Sequence, residues 1–293
     1  MSRSDAVWLV VAVAAISTSG PLVREAAIPA LAIAFWRNGL ATAGLVPAAA
    51  VSGRQRDVPA RTWLLTVVAG LLLGAHFAAW ISSLSSTTVA ASVALVATQP
   101  VWAALIGRAT GERLEPRAWL GIAIALGGVI VITGVAVGSS GRALRGDGLA
   151  LLGGVLAAGY VSVGAVVRRQ VTTTDYTAAC YGVAAVALLV GAVAAGQPLW
   201  GYPLRAWLCI AAITAGPQLL GHSVFNRLLR TVGATVVSVA VLGEIVGSAL
   251  LAAWWFGERP PAGLVPGAAC IVVGVVLVAR GRAAVPVADV VAG

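Results

Sequence analysis

The chain has 293 residues, 60% hydrophobic and only 10% charged, with 19 Lys plus Arg against 10 Asp plus Glu and a net charge of +9. Soluble domains carry about 25% charged residues, so this composition excludes a water-soluble fold and makes the bilayer the chain's solvent. The positive balance does not mark a nucleic-acid binder: lysine is absent, and the Arg residues stand one or two at a time between apolar runs instead of forming a patch.

A membrane-crossing helix needs about 20 mostly apolar residues. The chain reads as ten such spans: 6–23, 29–51, 62–84, 87–109, 116–137, 147–168, 176–195, 204–226, 231–256 and 261–280. The expected fold class is an all-α integral membrane protein with the lipid bilayer as its first partner. The gaps near 52–61 and 138–146 hold Gly, Arg, Pro and Asp and read as loops, and 283–293 reads as a short cytoplasmic tail. The first span has no convincing cleavage site and reads as a true span, not a removable signal. Abundant Ala, Val and Gly without Lys suggest a GC-rich bacterial source.

Along the chain, span one ends in the polar stretch Ser17-Thr18-Ser19-Gly20 before Pro21, a weakly helical segment suited to a gate hinge. Span two carries Arg37 about 12 Å into the membrane at ~1.5 Å per residue. A guanidinium there needs a carboxylate, carbonyl oxygens or water. A structural pair or snorkelling stands ahead of anion binding. On span three His76 and Trp80 share a face, as an indole wall for an apolar or cationic solute or as interior packing. On span four Ser92 and Gln99 lie seven apart, and Gln99 is suited to fixing a polar substrate group. Tyr160 and Ser162 of span six match the polar end of span one. Pro100 and Pro217 fall within spans and each removes a backbone donor.

Span eight repeats polar residues every fourth position: Thr214, Gln218, His222, Asn226 and Arg230. Such a stripe lines a cavity or a helix contact, because polar groups lack partners in hydrocarbon. His222 is read either as a hydrogen-bonded interior histidine or as a proton carrier, since imidazole ordinarily titrates near pH 6.5. Span nine holds Glu244 roughly 20 Å deep in a ~30 Å core, with Ser248 four residues on. An ionisable group at that depth is a functional candidate by default; the alternative is a structural carboxylate bonded to neighbouring helices. The three Cys show no metal spacing and two His are too few for a His-based site, so no metal and no cofactor are expected.

Gly-Glu-Arg occurs at 111–113 and again at 257–259, an offset of 146. Ser92-Val93-Ala94 and Ser238-Val239-Ala240 share that offset, and Trp63 and Trp207, like Gly20 and Gly164, lie 144 apart. The chain therefore divides into a first repeat over 1–141 and a second over 142–282. Five spans in each make the repeats inverted. Thirteen Arg fall on the face that holds the N-terminus and five on the other (Arg24, Arg142, Arg145, Arg205 and Arg259), which puts both termini in the cytoplasm. Glu112–Arg113 and Glu258–Arg259 read as surface caps and loop ion pairs. Gly70 with Gly74, Gly243 with Gly247, and Gly263 with Gly267 mark close helix packing.

Several stretches resemble the drug/metabolite transporter superfamily, in particular its EamA-type members with ten spans. They are Phe35-Trp36-Arg37-Asn38-Gly39, Gln99-Pro100, Gly216-Pro217, Gly221-His222-Ser223-Val224-Phe225-Asn226, Leu242-Gly243-Glu244 and both Gly-Glu-Arg copies. The resemblance implies two inverted five-helix repeats around a central cavity, alternating access, and export of small metabolites, amino acids or drugs. Many relatives have Glu-Pro in span nine; here Ile245 follows Glu244, which removes the proline that would kink that helix.

The leading expectation is a secondary exporter of a small-molecule substrate in the bacterial cytoplasmic membrane, monomeric or homodimeric and open to proton coupling. The substrate and proton pathway would include Glu244, His222, Gln218, Thr214, Gln99, Trp80, His76, Tyr160, Ser248 and Arg37. An uncoupled facilitator or exchanger is the nearest alternative, and a receptor or scaffold the next. No phosphate-binding loop ending in Gly-Lys exists, which argues against ATP-driven pumping. No nucleophile–base motif points to an enzyme.

Overall fold

The computed structural model describes residues 1–51, 58–83, 86–87, 89–134, 141–257 and 259–281. Ten helical segments follow one another among them: α1 (Arg3–Ala26), α2 (Ala30–Val51), α3 (Ala60–Ser83), α4 (Val89–Val96, resuming as Gln99–Ala109), α5 (Pro116–Thr133), α6 (Gly141–Val167), α7 (Thr173–Ala194), α8 (Leu204–Leu228), α9 (Gly233–Phe256) and α10 (Leu264–Arg280). No strand occurs among the described residues. Seven segments, α1, α3 and α5 to α9, are long and apolar enough to cross a membrane, and α10 is a shorter apolar helix. Arg54, Arg56, Glu258, Arg282 and the expected tail lie outside the described residues.

Local chemistry sets the helix ends. Ser2 caps α1, taking the Asp5 amide at 3.0 Å while the Asp5 carboxylate accepts from the Ser2 amide. Pro116 opens α5, where a missing N–H costs nothing. The recurring Gly-Glu-Arg has a backbone cause: Gly111 (φ +91°) and Gly257 (φ +67°) both follow helix ends in the left-handed region that disfavours other residues. Glu112 uses its amide to cap the Gly107 carbonyl at 2.8 Å. No ion pair joins it to Arg113 among the described residues, contrary to the loop pair expected. The loop expected at 138–146 is also corrected, since α6 already begins at Gly141. Its first turns stand on the α3–α4 connection, where Thr87 Oγ1 donates to Asp147 Oδ1 at 2.5 Å.

Helix pairing displays the duplication. α5 packs along α10, α2 along α7, and α4 against α9, while α3 lies on α6 as α8 lies on α1. Exchanging each helix for its counterpart five places on returns the same set of pairs. With an odd number of helices per half, the second half is inverted. All three glycine pairs sit at crossings. A Cβ on Gly70 would come within 2.7 Å of the Cys180 carbonyl oxygen on α7, one on Gly243 within 2.9 Å of Val13 on α1, and one on Gly267 within 2.6 Å of the Gly128 carbonyl oxygen on α5. Such backbone approach replaces the hydrophobic drive that lipid cannot supply. Val186, Val190, Val193 and Trp254 are exposed on the outer surface, where acyl chains are their solvent.

Candidate functional site

Four helices lose regularity around one cavity, three of them beside a proline. α1 breaks at Thr18. Pro21 has no N–H for the Ser17 carbonyl, and the Ser248 hydroxyl of α9 donates to that oxygen at 2.8 Å instead. α4 stops after Val96, whose carbonyl would need an N–H from Pro100. α8 widens into a π-helix over Thr214–His222, around Pro217. Its i→i+5 bonding is the kind found at functional bulges. α9 is interrupted at Leu242, through i→i+3 bonds from Leu242 to Val239 and from Ile245 to Leu242, each 3.2 Å. The helix is thus interrupted at this point without a proline. Leu242 is 146 residues after Val96, so the breaks in α4 and α9 are repeat counterparts. Discontinuous helices in matching positions are where transporters of this plan place their sites.

A cavity of about 90 Å³ lies among these breaks, with room for about three waters at roughly 30 Å³ each. It is lined from both halves. The first contributes Ile16, Ser19, Arg37, Leu73, His76, Phe77, Trp80, Val96 and Gln99; the second contributes Ala157, Tyr160, Val161, His222, Phe225, Asn226, Leu229, Val237, Val241 and Glu244. Helices α5, α7 and α10 add no side chain to it.

Seven of the ten residues singled out from sequence meet at this cavity: Arg37, His76, Trp80, Gln99, Tyr160, His222 and Glu244. His76 Nδ1 lies 2.9 Å from the Gly153 carbonyl oxygen, so that nitrogen carries the proton. Its ring stacks on Trp80 at 6.0 Å and 8°. Tyr160 donates to Asn226 Oδ1 at 2.7 Å, and Asn226 Nδ2 to the Tyr181 hydroxyl at 3.3 Å. Gln99 Nε2 reaches Ser238 Oγ of α9 at 3.1 Å. The ring of His222 meets Phe77 edge-on at 6.0 Å. The Glu244 carboxylate forms no hydrogen bond or ion pair among the described residues.

The other three stand behind the wall. Thr214 turns its hydroxyl back to the Ile210 carbonyl at 2.8 Å, and Ser248 serves the break in α1. Gln218 is fully buried and joins two helices: it accepts from Arg37 Nε at 2.7 Å and donates to Asn38 Oδ1 at 3.0 Å. The expected stripe on α8 is thus split, because the π-turn changes the angular step. His222 and Asn226 reach the cavity, Thr214 and Gln218 do not, and Arg230 is exposed. Likewise Ser92 bonds Ser83 at 2.7 Å away from the cavity, since the break in α4 separates it from Gln99.

Arg37 follows neither structural reading favoured from sequence. It is 2% exposed, so it does not snorkel, and no carboxylate pairs with it among the described residues. Its guanidinium rests on the Phe77 ring, Cζ to centroid 4.7 Å. The neighbouring Trp36 holds α2 in rotation, donating to the Leu199 carbonyl at 2.8 Å and meeting Trp200 edge-on at 4.5 Å. Phe77 and Tyr181 have no pattern that would have marked them in the sequence, and Asn38 and Ser238 stood there only within a motif and a repeat, not as site residues. Among the described residues no three His, Cys, Asp or Glu gather as metal ligands would.

A model of the EamA-like transporter family matches residues 4–134 and again 144–280. One solved crystal structure shares the fold, with a TM-score of 0.79 at 20% identity, covering 94% of this chain and 96% of its own. No curated protein matches the chain.

Proposed function

Because this chain belongs to the EamA-like transporter family, we propose that it is a secondary transporter exporting small organic solutes, namely metabolites, amino acids or drugs, by alternating access. It would sit in the bacterial cytoplasmic membrane with both termini inside, as the Arg distribution favours. The observation that carries this reading is the cavity between the two inverted halves, mainly apolar but holding Arg37, His76, His222 and Glu244, beside the breaks in α1, α4, α8 and α9. In an inverted pair, each half can take the other's conformation, which exchanges the open side while the site stays in place.

Glu244 would carry the coupling proton. Its carboxylate lines the cavity with no hydrogen bond or ion pair among the described residues, so solute and proton can compete for the same space. The test is counterflow and efflux in liposomes containing the purified protein, with amino acids, metabolites and cationic drugs at two pH values. Saturable, solute-dependent counterflow is expected. A panel that gives none overturns the transporter assignment in favour of a receptor or scaffold. Glu244→Gln should abolish acceleration by a pH gradient while leaving counterflow. An unchanged gradient response removes Glu244 from coupling and leaves a facilitator.

A further inference from the structure

We infer that Arg37 is the anchor for a carboxylate on the solute, so that the cavity selects small organic acids or zwitterions over amines and neutral molecules. This deepens the transporter reading above and rests on it for its biological sense.

The argument begins with what Arg37 lacks. A guanidinium has five donors. Nε is engaged by Gln218 at 2.7 Å, and one face of the plate is covered by Phe77. Nη2 is buried with no hydrogen-bond partner among the described residues. No carboxylate pairs with the side chain among the described residues, although it is 2% exposed. A charge held this way is costly; its direct contacts supply rigidity, and Glu244, the acid that shares the cavity, acts on it only from beyond ion-pair distance. Gln218 is itself pinned to Asn38 at 3.0 Å, and Asn38 to the Ala34 carbonyl at 2.8 Å. The arrangement orients the guanidinium of a residue that lines the cavity and leaves its Nη donors unbonded among the described residues, the donors with which arginine takes a carboxylate.

The rest of the cavity agrees. Trp80 Nε1 is another buried donor with no partner among the described residues, and Trp80 also lines the cavity. Both donors belong to residues that line the cavity, and neither has an acceptor among the described residues. The stacked His76–Trp80 pair offers an apolar wall for a short side chain. Glu244 shares the cavity with Arg37, so a solute that also carries an ammonium has an anion to face. Simple acids and amino acids therefore share the anchor and differ only in their dependence on Glu244.

The experiment is isothermal titration of the purified protein with four probes of one shape: 3-methylbutanoate, valine, 3-methylbutanamide and 3-methylbutylamine. Both carboxylates should bind at least about tenfold more tightly than the amide and the amine, the scale of a charged hydrogen bond. Valine binding more tightly than 3-methylbutanoate, with that advantage lost in Glu244→Gln, identifies a zwitterion; equal binding identifies a simple acid. In Arg37→Gln the gap between acid and amide should close. The proposal is overturned if the amide or amine matches the acid in the native protein, if no probe binds, or if the gap survives in Arg37→Gln. The native-protein comparison decides even if that variant does not fold. Because binding is measured without flux, a carboxylate preference without counterflow overturns the transporter reading and leaves the anchor standing. Counterflow of solutes lacking a carboxylate, with no acid preference, does the reverse.

Discussion

Replacing Gln218 with Leu tests whether one buried amide organises the site. The side chain is fully buried and makes two bonds, accepting from Arg37 Nε at 2.7 Å and donating to Asn38 Oδ1 at 3.0 Å. Leucine has a similar size but leaves both partners buried and unsatisfied. At about 1–3 kcal/mol for each orphaned group the direct penalty is about 2–6 kcal/mol. Apolar burial of the leucine returns part of that, so a net loss of about 1–4 kcal/mol is expected. The assay is equilibrium unfolding of the detergent-solubilised protein, followed by tryptophan fluorescence and repeated in an Arg37→Met background. There the Arg37 partner is already gone, and the cost of Gln218→Leu should fall by about 1–3 kcal/mol. An equal cost in both backgrounds, or none in the native one, would refute the claim that Gln218 holds the guanidinium.

Four further substitutions follow from the packing. Ser248→Ala removes the donor that serves the Ser17 carbonyl and should cost about 1–3 kcal/mol; an unchanged melting temperature would mean that the break in α1 is satisfied otherwise. Gly267→Val places a side chain where a Cβ alone would meet the Gly128 carbonyl oxygen at 2.6 Å. It should destabilise the α5–α10 pair by at least about 1–3 kcal/mol, read as a lower unfolding midpoint. Gly257→Ala, at φ +67°, should lose about 1–2 kcal/mol, whereas Gly127→Ala, helical and with open space around it, should be neutral or gain up to about 1 kcal/mol. Equal effects at the two glycines would contradict the backbone explanation of the repeated Gly-Glu-Arg.

Much of this molecule is legible along the chain because the bilayer imposes rules that act on contiguous residues. A span must be apolar for its whole length, so ten runs can be counted, and the offsets of 144 and 146 reveal a duplication before any contact is known. An odd number of spans per half then forces inversion. Ionisable groups avoid lipid, which is why Arg37, His76, His222 and Glu244 could be named from sequence and are found at one cavity. What the chain could not disclose depends on helix rotation and on backbone irregularity. A regular α-helix puts Thr214, Gln218, His222 and Asn226 on one face; the π-turn around Pro217 sends two to the cavity and two behind it. Ser248 looked like a companion of Glu244, but a carbonyl freed by Pro21, more than two hundred residues away, claims it. The partners of Arg37, Gln218 and Phe77, come from two other helices. Sequence by itself determined which groups had to leave lipid, because that cost is local to each residue; the tertiary structure decided which of them meet, because hydrogen-bond partners are chosen by the crossing and rotation of helices distant in the chain.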